Sequence, residues 1–125
     1  MSATILLIDD EELVRESLGR FLTTCGYRVL TACDGEEGME LFNRMAGDVD
    51  LVILDWILPG QGGALTLDAL RARAPECPVV LFSGYTEGWD GVEADDFIFK
   101  PVAMPVFLER VRAVLAKENL CLTGE

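Results

Sequence analysis

Side chains that could handle metal and phosphate chemistry stand at the ends of short apolar runs in this sequence. They are Asp9, Asp10, Asp55, Ser83 and Lys100. An ionised carboxylate beside apolar surface is costly unless another group compensates its charge, so these acids are expected to have partners. Clustered carboxylate oxygens suit Mg²⁺, and an ammonium group suits phosphate oxygens. The residue types therefore predict a Mg²⁺ site, if the fold gathers them in one place.

Alternating strands and helices supply that fold. The predicted strands are residues 4–8, 27–32, 50–54, 79–82 and 96–99, and the predicted helices are residues 12–25, 35–46, 64–74 and 105–117. Strands separated by helices favour a doubly wound α/β fold with a parallel sheet and helices on both faces. In such a sheet the ligand site lies outside the carboxyl ends of the strands. All five polar residues follow predicted strands, so we expect them to meet at that edge.

Local sequence signals indicate which helix faces are buried and where two of the helices begin or end. The first helix is expected to place one face on the core, formed by Leu13, Val14, Ser17, Leu18, Phe21, Leu22 and Cys25, and the last helix to bury Phe107, Leu108, Val111, Val114 and Leu115. Gly26 stands where a helix C-cap is expected, and Asp34 where an N-cap is expected.

Composition excludes several kinds of function. The 125 residues are expected to form one domain, residues 1–125, with 22 acidic residues against 10 basic ones and a net charge of −12. That charge argues against binding nucleic acid, and the absence of His excludes His-based catalysis within the chain. The apolar runs are too short for a membrane span. With no CxxC spacing among the four cysteines and no secretory leader, we expect reduced, buried thiols in a cytoplasmic protein.

Four segments carry a family resemblance: ILLIDDEELVR, LVILDWILPGQGG, VVLFSGY and DDFIFKPV. In order and spacing they resemble the signature segments of the receiver domain of two-component response regulators, over essentially the whole chain. The resemblance implies a flavodoxin-like sheet with the strand order 2-1-3-4-5. It also implies a phosphorelay switch, which catalyses its own modification and is not a metabolic enzyme.

The resemblance assigns the acidic residues. Asp55 is implied to accept the phosphoryl group, Asp10 to bind Mg²⁺ directly, and Asp9 to bind it largely through water. Asp55 and the main-chain carbonyl of Ile57 are the further ligands. The implied phosphodonor is a sensor histidine kinase or a phosphotransfer protein, because this chain contains no His.

The remaining roles fall on the last two strands. Ser83 and Lys100 are implied to bind phosphoryl oxygens, and Ser83 and Phe97 to be the switch residues. The bond before Pro101 is expected to be cis, which is common only before proline.

A departure from the family lies between Ser83 and Lys100, which are separated by 16 residues, fewer than receivers usually have. The segment contains Gly88 and Gly91, and glycine disfavours helix by about 1 kcal/mol relative to alanine. We therefore predict that the fourth helix is missing or very short and that Trp89 covers the open sheet surface. A dimer built on that helix is not expected to transfer to this chain, so the oligomeric state stays open.

Residues near the acceptor suggest two further hypotheses. Trp56 is expected either to pack under a neighbouring helix or, as the favoured alternative, to lie at the active face. Ile57 and Tyr85 occupy positions that influence attacking water in the family. Neither is acidic nor an amide, so we expect slow hydrolysis of the phosphoryl group.

Other functions stay open at this point. A pseudo-receiver that binds partners without phosphorylation would keep the fold, although the complete set of polar residues argues against it. A haloacid dehalogenase-type phosphatase would place its nucleophile after the first strand, and a flavodoxin-like FMN carrier would need a phosphate loop there. The wording VVLFSGYT resembles receivers of hybrid kinases. The downstream target is not predicted.

Overall fold

Nine elements make up the fold. The computed structural model describes residues 2–45, 47–84 and 88–123, the last six through their helical backbone only. The strands are β1 (Thr4–Ile8), β2 (Arg28–Ala32), β3 (Leu51–Leu54), β4 (Val79–Ser83) and β5 (Asp96–Phe99). The helices are α1 (Glu12–Thr24), α2 (Gly35–Arg44), α3 (Gly62–Arg73) and α4 (Met104–Thr123). The predicted alternation of strands and helices is confirmed.

The five strands form one parallel sheet in the order β2-β1-β3-β4-β5, which confirms the predicted topology. Ile8 on β1 is level with Leu54 on β3, and Leu54 is level with Leu81 on β4. At the far side, the Lys100 N–H donates to the Ser83 carbonyl at 2.9 Å. This register makes the central strands finish together, so the residues that follow them share one edge.

Helices cover the sheet on both faces. Helices α1 and α4 pack on one face through Leu18, Leu22, Phe107, Val111 and Val114, and α2 and α3 pack on the other through Phe42, Leu67 and Leu70. The side chains of β1 and β3 are buried on both faces, as expected of central strands in a parallel sheet. This burial of apolar surface is the main stabilising contribution to the fold.

Two residues predicted on the core face of α1, Leu13 and Ser17, are exposed. Leu13 is 77% exposed, although its helical spacing places it near the apolar face of α1. It stands in the first turn of α1, at the edge where the strands end, and it lines the open cavity there. Leu108 and Leu115 in α4 are half-buried, whereas Phe107, Val111 and Val114 are buried as predicted.

The beginning of α3 also differs from the prediction, which started that helix at residue 64. The helix begins at Gly62, and the second glycine allows close contact with the preceding loop. A Cβ atom added to Gly63 would lie 2.4 Å from the Trp56 carbonyl oxygen, so no larger residue fits without a shift. The two glycines argued against helix in the sequence, but packing required one of them.

Both predicted helix caps are confirmed. Asp34 Oδ1 accepts a hydrogen bond from the Glu37 N–H at 2.8 Å and so caps α2. Gly26, directly after the C-cap of α1, has φ of 101°, a conformation that favours glycine.

Among the described residues between β4 and β5, the fourth helix of the usual fold is absent, as predicted. Within the described residues 84 and 88–95 there is no helix, and Gly88 and Gly91 have positive φ. Trp89 instead packs on Phe97 of β5, with ring centroids 5.3 Å apart, on the face where that helix would lie. The predicted covering role of Trp89 is therefore confirmed.

The prediction of buried cysteines is only partly right. Cys33 is exposed, and Cys25 and Cys77 are half-buried. The side chain of Cys121 lies outside the described residues. Among the described residues, no helix has both the length and the apolar character that crossing a membrane requires.

Candidate functional site

The predicted polar residues meet at the carboxyl edge of the sheet. Asp9 follows β1, Asp55 follows β3, Ser83 ends β4 and Lys100 follows β5. Asp9, Asp55 and Ser83 are 1%, 5% and 1% exposed, so these polar side chains are buried next to the core. The parallel register brings them together because each directly follows an apolar strand that is fixed in the sheet. The sequence therefore predicted that Asp9, Asp55, Ser83 and Lys100 would meet at this edge.

Lys100 supplies the positive charge at the centre of the group. Its Nζ lies 2.7 Å from Asp9 Oδ2, 3.4 Å from Asp55 Oδ2 and 3.5 Å from Glu11 Oε1. It also lies 5.0 Å from the centroid of the Phe82 ring. Burial acts to lower the pKa of this ammonium group, but the Asp9 and Asp55 carboxylates outweigh it and raise the pKa above its usual value. Lys100 therefore stays charged throughout the physiological range.

The surroundings of the Asp55 carboxylate disfavour its charged form. Burial, followed by the charge of Asp9, raises its pKa, and Lys100 together with hydrogen bonds from the Ile57 N–H and Ser83 acts in the opposite direction. The Ile57 N–H donates to Asp55 Oδ1 at 3.2 Å. A carboxylate that is buried beside another carboxylate binds a cation strongly when one is available.

The donor set fits Mg²⁺. Within the described part of the chain, carboxylate oxygens of Asp9, Glu11 and Asp55 lie within 4.8 Å of one another. These donors are all oxygen, which is the ligand type that Mg²⁺ prefers. One ammonium group faces these three acids, so negative charge remains for a cation to neutralise.

Asp10 lies outside the closest group of acids, and Glu11, which had no assigned role in the site, lies within it. Asp10 is exposed and lines the open cavity over the site, whereas Glu11 joins the close group of acids. The Glu11 N–H donates to Asp9 Oδ1 at 2.9 Å, which helps to hold the turn after β1. The sequence interpretation overlooked Glu11 because an acid in the first turn of a helix is expected for dipole reasons alone.

Arg15 is a second residue that the sequence interpretation missed. Its Nη1 donates to the main-chain carbonyl of Asp9 at 2.7 Å. This contact ties α1 to the turn that positions Asp9. No motif indicated it, because a guanidinium group on the first helix is normally a surface residue.

An open cavity of about 680 Å³ gives access to the site. Its wall combines the polar residues with apolar ones, among them Leu13 and Val14 of α1. Ile57 lines the same cavity and is 51% exposed. The cavity is therefore open to solvent and has apolar surface at its mouth.

The predicted switch and proline positions are close to this site. The Lys100–Pro101 bond is cis, as expected. Phe97 is half-buried on the face that carries α2 and α3, and Ser83 lies at the end of the neighbouring strand. Tyr85, which shared the hydrolysis hypothesis with Ile57, lies outside the described residues.

Trp56 does not lie at the active face, where the favoured interpretation placed it. It is half-buried in the core that β3, α2 and α3 form, and a Cβ atom added to Gly88 would lie 3.2 Å from Trp56 Nε1. The indole thus packs beneath the segment that replaces the fourth helix. The alternative interpretation, packing under a neighbouring element, is closer to this arrangement.

Comparisons with known proteins agree with this geometry. The transcriptional regulatory protein AfsQ1 of Streptomyces coelicolor is 37% identical over 119 residues, which cover 91% of this chain and 52% of AfsQ1. The crystal structure of the receiver domain from the hybrid histidine kinase CckA is 38% identical, with a TM-score of 0.79, covering 90% of this chain and 99% of that one. The response regulator TrrA of Thermotoga maritima, solved in complex with Mg²⁺-BeF, is 30% identical with a TM-score of 0.81, covering 90% of this chain and 98% of that one.

The similarity extends over the whole fold, although the chain spans only about half the length of AfsQ1. The family model described as the response regulator receiver domain matches residues 5–112, which include β1 from its second residue, the other four strands and every residue of the site. The chain belongs to the response regulator receiver domain family.

Proposed function

We propose that this chain accepts a phosphoryl group on Asp55 and acts as a switch in a two-component phosphorelay. The observation that carries the proposal is the buried Asp55 carboxylate beside Asp9, with Lys100 Nζ at 3.4 Å and a cavity open to solvent. Residues 1–125 act as one receiver domain in this proposal. The chain catalyses its own modification and does not turn over a metabolite.

The proposed donor is a phosphohistidine on a sensor kinase or a phosphotransfer protein. An Asp55 oxygen attacks phosphorus, the new P–O bond forms as the P–N bond breaks, and the electron pair of that bond returns to the imidazole of the donor. The Lys100 ammonium and the Ser83 hydroxyl bind oxygens of the transferred group. Exposed Leu13 and Ile57 offer apolar surface for the donor protein at the mouth of the cavity.

Mg²⁺ is the proposed cofactor. Asp9, Asp10 and Asp55 would hold it together with the main-chain carbonyl of Ile57, and Glu11 is near enough to contribute through its carboxylate. The bound cation supplies neutralisation of the charge on the incoming phosphoryl group. The Mg²⁺-BeF complex of TrrA and the all-oxygen donor set support this assignment.

The proposed location is the cytoplasm. The free thiols of Cys25 and Cys33 are typical of a reducing compartment, which is where phosphohistidine donors of two-component systems act.

Intact mass after incubation with acetyl phosphate and Mg²⁺ tests the proposal. We expect the wild-type chain to gain one phosphoryl group, because acetyl phosphate can replace the protein donor. Asp55→Asn is expected to gain none, since it removes the nucleophilic oxygen, and a chelator is expected to prevent the gain in the wild type. Asp48→Asn is the matched control, because Asp48 is an exposed acid in a turn away from the site.

Equal labelling of Asp55→Asn and the wild type would move the acceptor to another residue. A complete lack of labelling in the wild type, without Mg²⁺ binding, would favour the pseudo-receiver alternative. In that case the chain would recognise its partner by shape and surface charge alone.

A further inference from the structure

The segment that joins β4 to β5 is firmly held at its C-terminal end. Arg71 Nη1 on α3 donates to the Cys77 carbonyl at 2.8 Å, and Nη2 lies 3.5 Å from Asp95 Oδ2. Asp95 exchanges two further bonds with Val79: its Oδ2 accepts from the Val79 N–H at 2.7 Å, and its N–H donates to the Val79 carbonyl at 2.8 Å. This end of the segment is therefore tied to both α3 and β4.

The part of the segment around Trp89 is held differently. The indole rests on the Phe97 ring at 5.3 Å, and the nearest turn contact is from the Val92 N–H to the Trp89 carbonyl at 3.0 Å. Trp89 Nε1 is buried and has no hydrogen-bond partner among the described residues. A buried donor without a partner weakens the position that it occupies, since the same group would bond to water if it were exposed.

Two routes lead from the acceptor to Trp89. Ser83, which hydrogen-bonds to Asp55, is the last residue of β4, and the segment starts directly after it. Trp56 directly follows Asp55, and its indole packs against Gly88, the residue before Trp89. A change at Asp55 thus reaches the same short stretch through the main chain and through an aromatic contact.

We propose that Trp89 is a conformational latch, which lies on Phe97 while Asp55 is unmodified and leaves that position when Asp55 is phosphorylated. The proposal rests on the proposed function and adds a third member to the expected switch pair of Ser83 and Phe97. The phosphoryl group draws the Ser83 hydroxyl away from the carboxylate, and the main chain that follows moves with it. Because Arg71 holds the far end, the displacement falls on the stretch around Gly88 and Trp89.

Tryptophan emission of the Trp56→Phe variant tests the latch. That variant keeps Trp89 as its sole tryptophan, since the chain has two. We expect phosphorylation with acetyl phosphate and Mg²⁺ to shift the emission to longer wavelength and to raise the acrylamide quenching constant about twofold, because the indole leaves an apolar contact for water. Adding Asp55→Asn to this variant is expected to abolish both changes.

Intact mass of the same samples separates the two proposals. A gain of one phosphoryl group without any change in emission or quenching would overturn the latch and leave the proposed function standing. No gain in mass would overturn the proposed function, and with it the trigger of the latch.

Thermodynamic reciprocity provides a second measurement that does not need the Trp56 variant. If modification of Asp55 displaces Trp89, then the Trp89 contact opposes modification. A substitution that weakens the contact must therefore favour the modified state by the factor through which the contact opposed it. We expect Trp89→Ala to bind beryllofluoride with Mg²⁺ at least about threefold more tightly than the wild type in calorimetry. Phe99→Ala is the matched control, because Phe99 also lies on β5 but is 55% exposed.

Unchanged or weaker binding by Trp89→Ala, with a native circular dichroism spectrum, would contradict the latch. An equal gain in Phe99→Ala would also contradict it, because any loss of aromatic surface near β5 would then have the same effect.

Discussion

At the scale of single residues, the buried charges of the site cost free energy of folding but suit the proposed chemistry. Asp9 and Asp55 are both buried, and Lys100 alone lies between them as a positive charge among the described residues. The pKa of Asp55 is raised first by burial and then by the charge of Asp9. A carboxylate held at a cost in free energy is ready to take up Mg²⁺ and a phosphoryl group, both of which relieve that cost.

The side chain of Ile57 is expected to slow hydrolysis of the phosphoryl group on Asp55. It is 51% exposed at the mouth of the cavity and offers no polar group to an attacking water. We expect Ile57→Asn to speed hydrolysis of phosphorylated Asp55 about tenfold, because an amide can orient that water. The measurement is the loss of the phosphoryl mass with time after the donor is removed.

Leu65→Asn is the control for this change, since Leu65 is also an exposed aliphatic residue, 60% accessible, but lies on α3. If the half-life of the phosphoryl group in Ile57→Asn equals that of the wild type, slow hydrolysis is not due to the side chain at this position.

At this scale, a contact was predictable where it followed from the place of a residue at the end of a strand. The meeting of Asp9, Asp55 and Lys100 was predictable because each directly follows a predicted strand, and the carboxyl ends of parallel strands share one edge of the sheet. The approach of Glu11 depends on the turn after β1, and the packing of Trp56 depends on Gly88 in a segment far along the chain. Neither contact has a local sequence signal.

At the scale of elements, the connection between β4 and β5 is the distinctive part of this receiver. A helix normally satisfies its own main-chain groups, whereas an irregular segment needs side chains to do so. Arg71 fulfils this function by donating to the Cys77 carbonyl and, at 3.5 Å, to the Glu93 carbonyl. The residues that replace the helix are therefore joined to α3, which precedes β4 in the chain.

Loss of Arg71 is expected to loosen this connection. We expect Arg71→Ala to lower the free energy of unfolding by about 1–2 kcal/mol, because a half-buried guanidinium group leaves main-chain carbonyls without their partner. Urea unfolding measures the change. Arg73→Ala is the control, since Arg73 makes one exposed hydrogen bond of 3.0 Å to Asn43, and a loss below about 0.5 kcal/mol is expected. Equal losses of unfolding free energy in Arg71→Ala and Arg73→Ala would contradict a specific role of Arg71 in holding this connection.

The ion pair between β5 and α4 is expected to be pH-dependent. Burial would raise the pKa of Asp96, but hydrogen bonds from Arg110 and the Phe97 N–H outweigh it and lower the pKa below its usual value of 3.8. The folded pKa is therefore below the unfolded one. The pair contributes stability above pH 3.8, and this contribution is lost as the pH falls through the folded pKa.

Asp96→Asn tests the pair. We expect the free energy of unfolding to fall by about 1 kcal/mol at pH 7, a modest value because the Arg110 side chain is 40% exposed and screened by solvent. The difference from the wild type is expected to shrink when unfolding is repeated at pH 3. A difference that stays constant between the two pH values would mean that packing, not charge, holds the two elements together.

At the scale of the whole molecule, the fold was predictable because two periodicities alternate along the chain. Each strand is a short apolar run, and each helix has an apolar stripe, so the parallel sheet followed from their order. The overhang of Leu13 beyond the core was not predictable, since helical spacing does not tell where a helix extends past the sheet. The start of α3 depended on the close approach of Gly63 to the Trp56 main chain.

Strand β5 lies at the edge of the sheet, where unpaired main-chain groups offer a template for a strand of another molecule. At its middle both groups are occupied: Asp96 Oδ1 accepts from the Phe97 N–H at 2.8 Å, and Arg110 Nη2 donates to the Phe97 carbonyl at 3.0 Å. The pair of side chains that joins β5 to α4 thereby also blocks strand addition. The same two charged side chains thus hinder the pairing of another strand with this edge at Phe97.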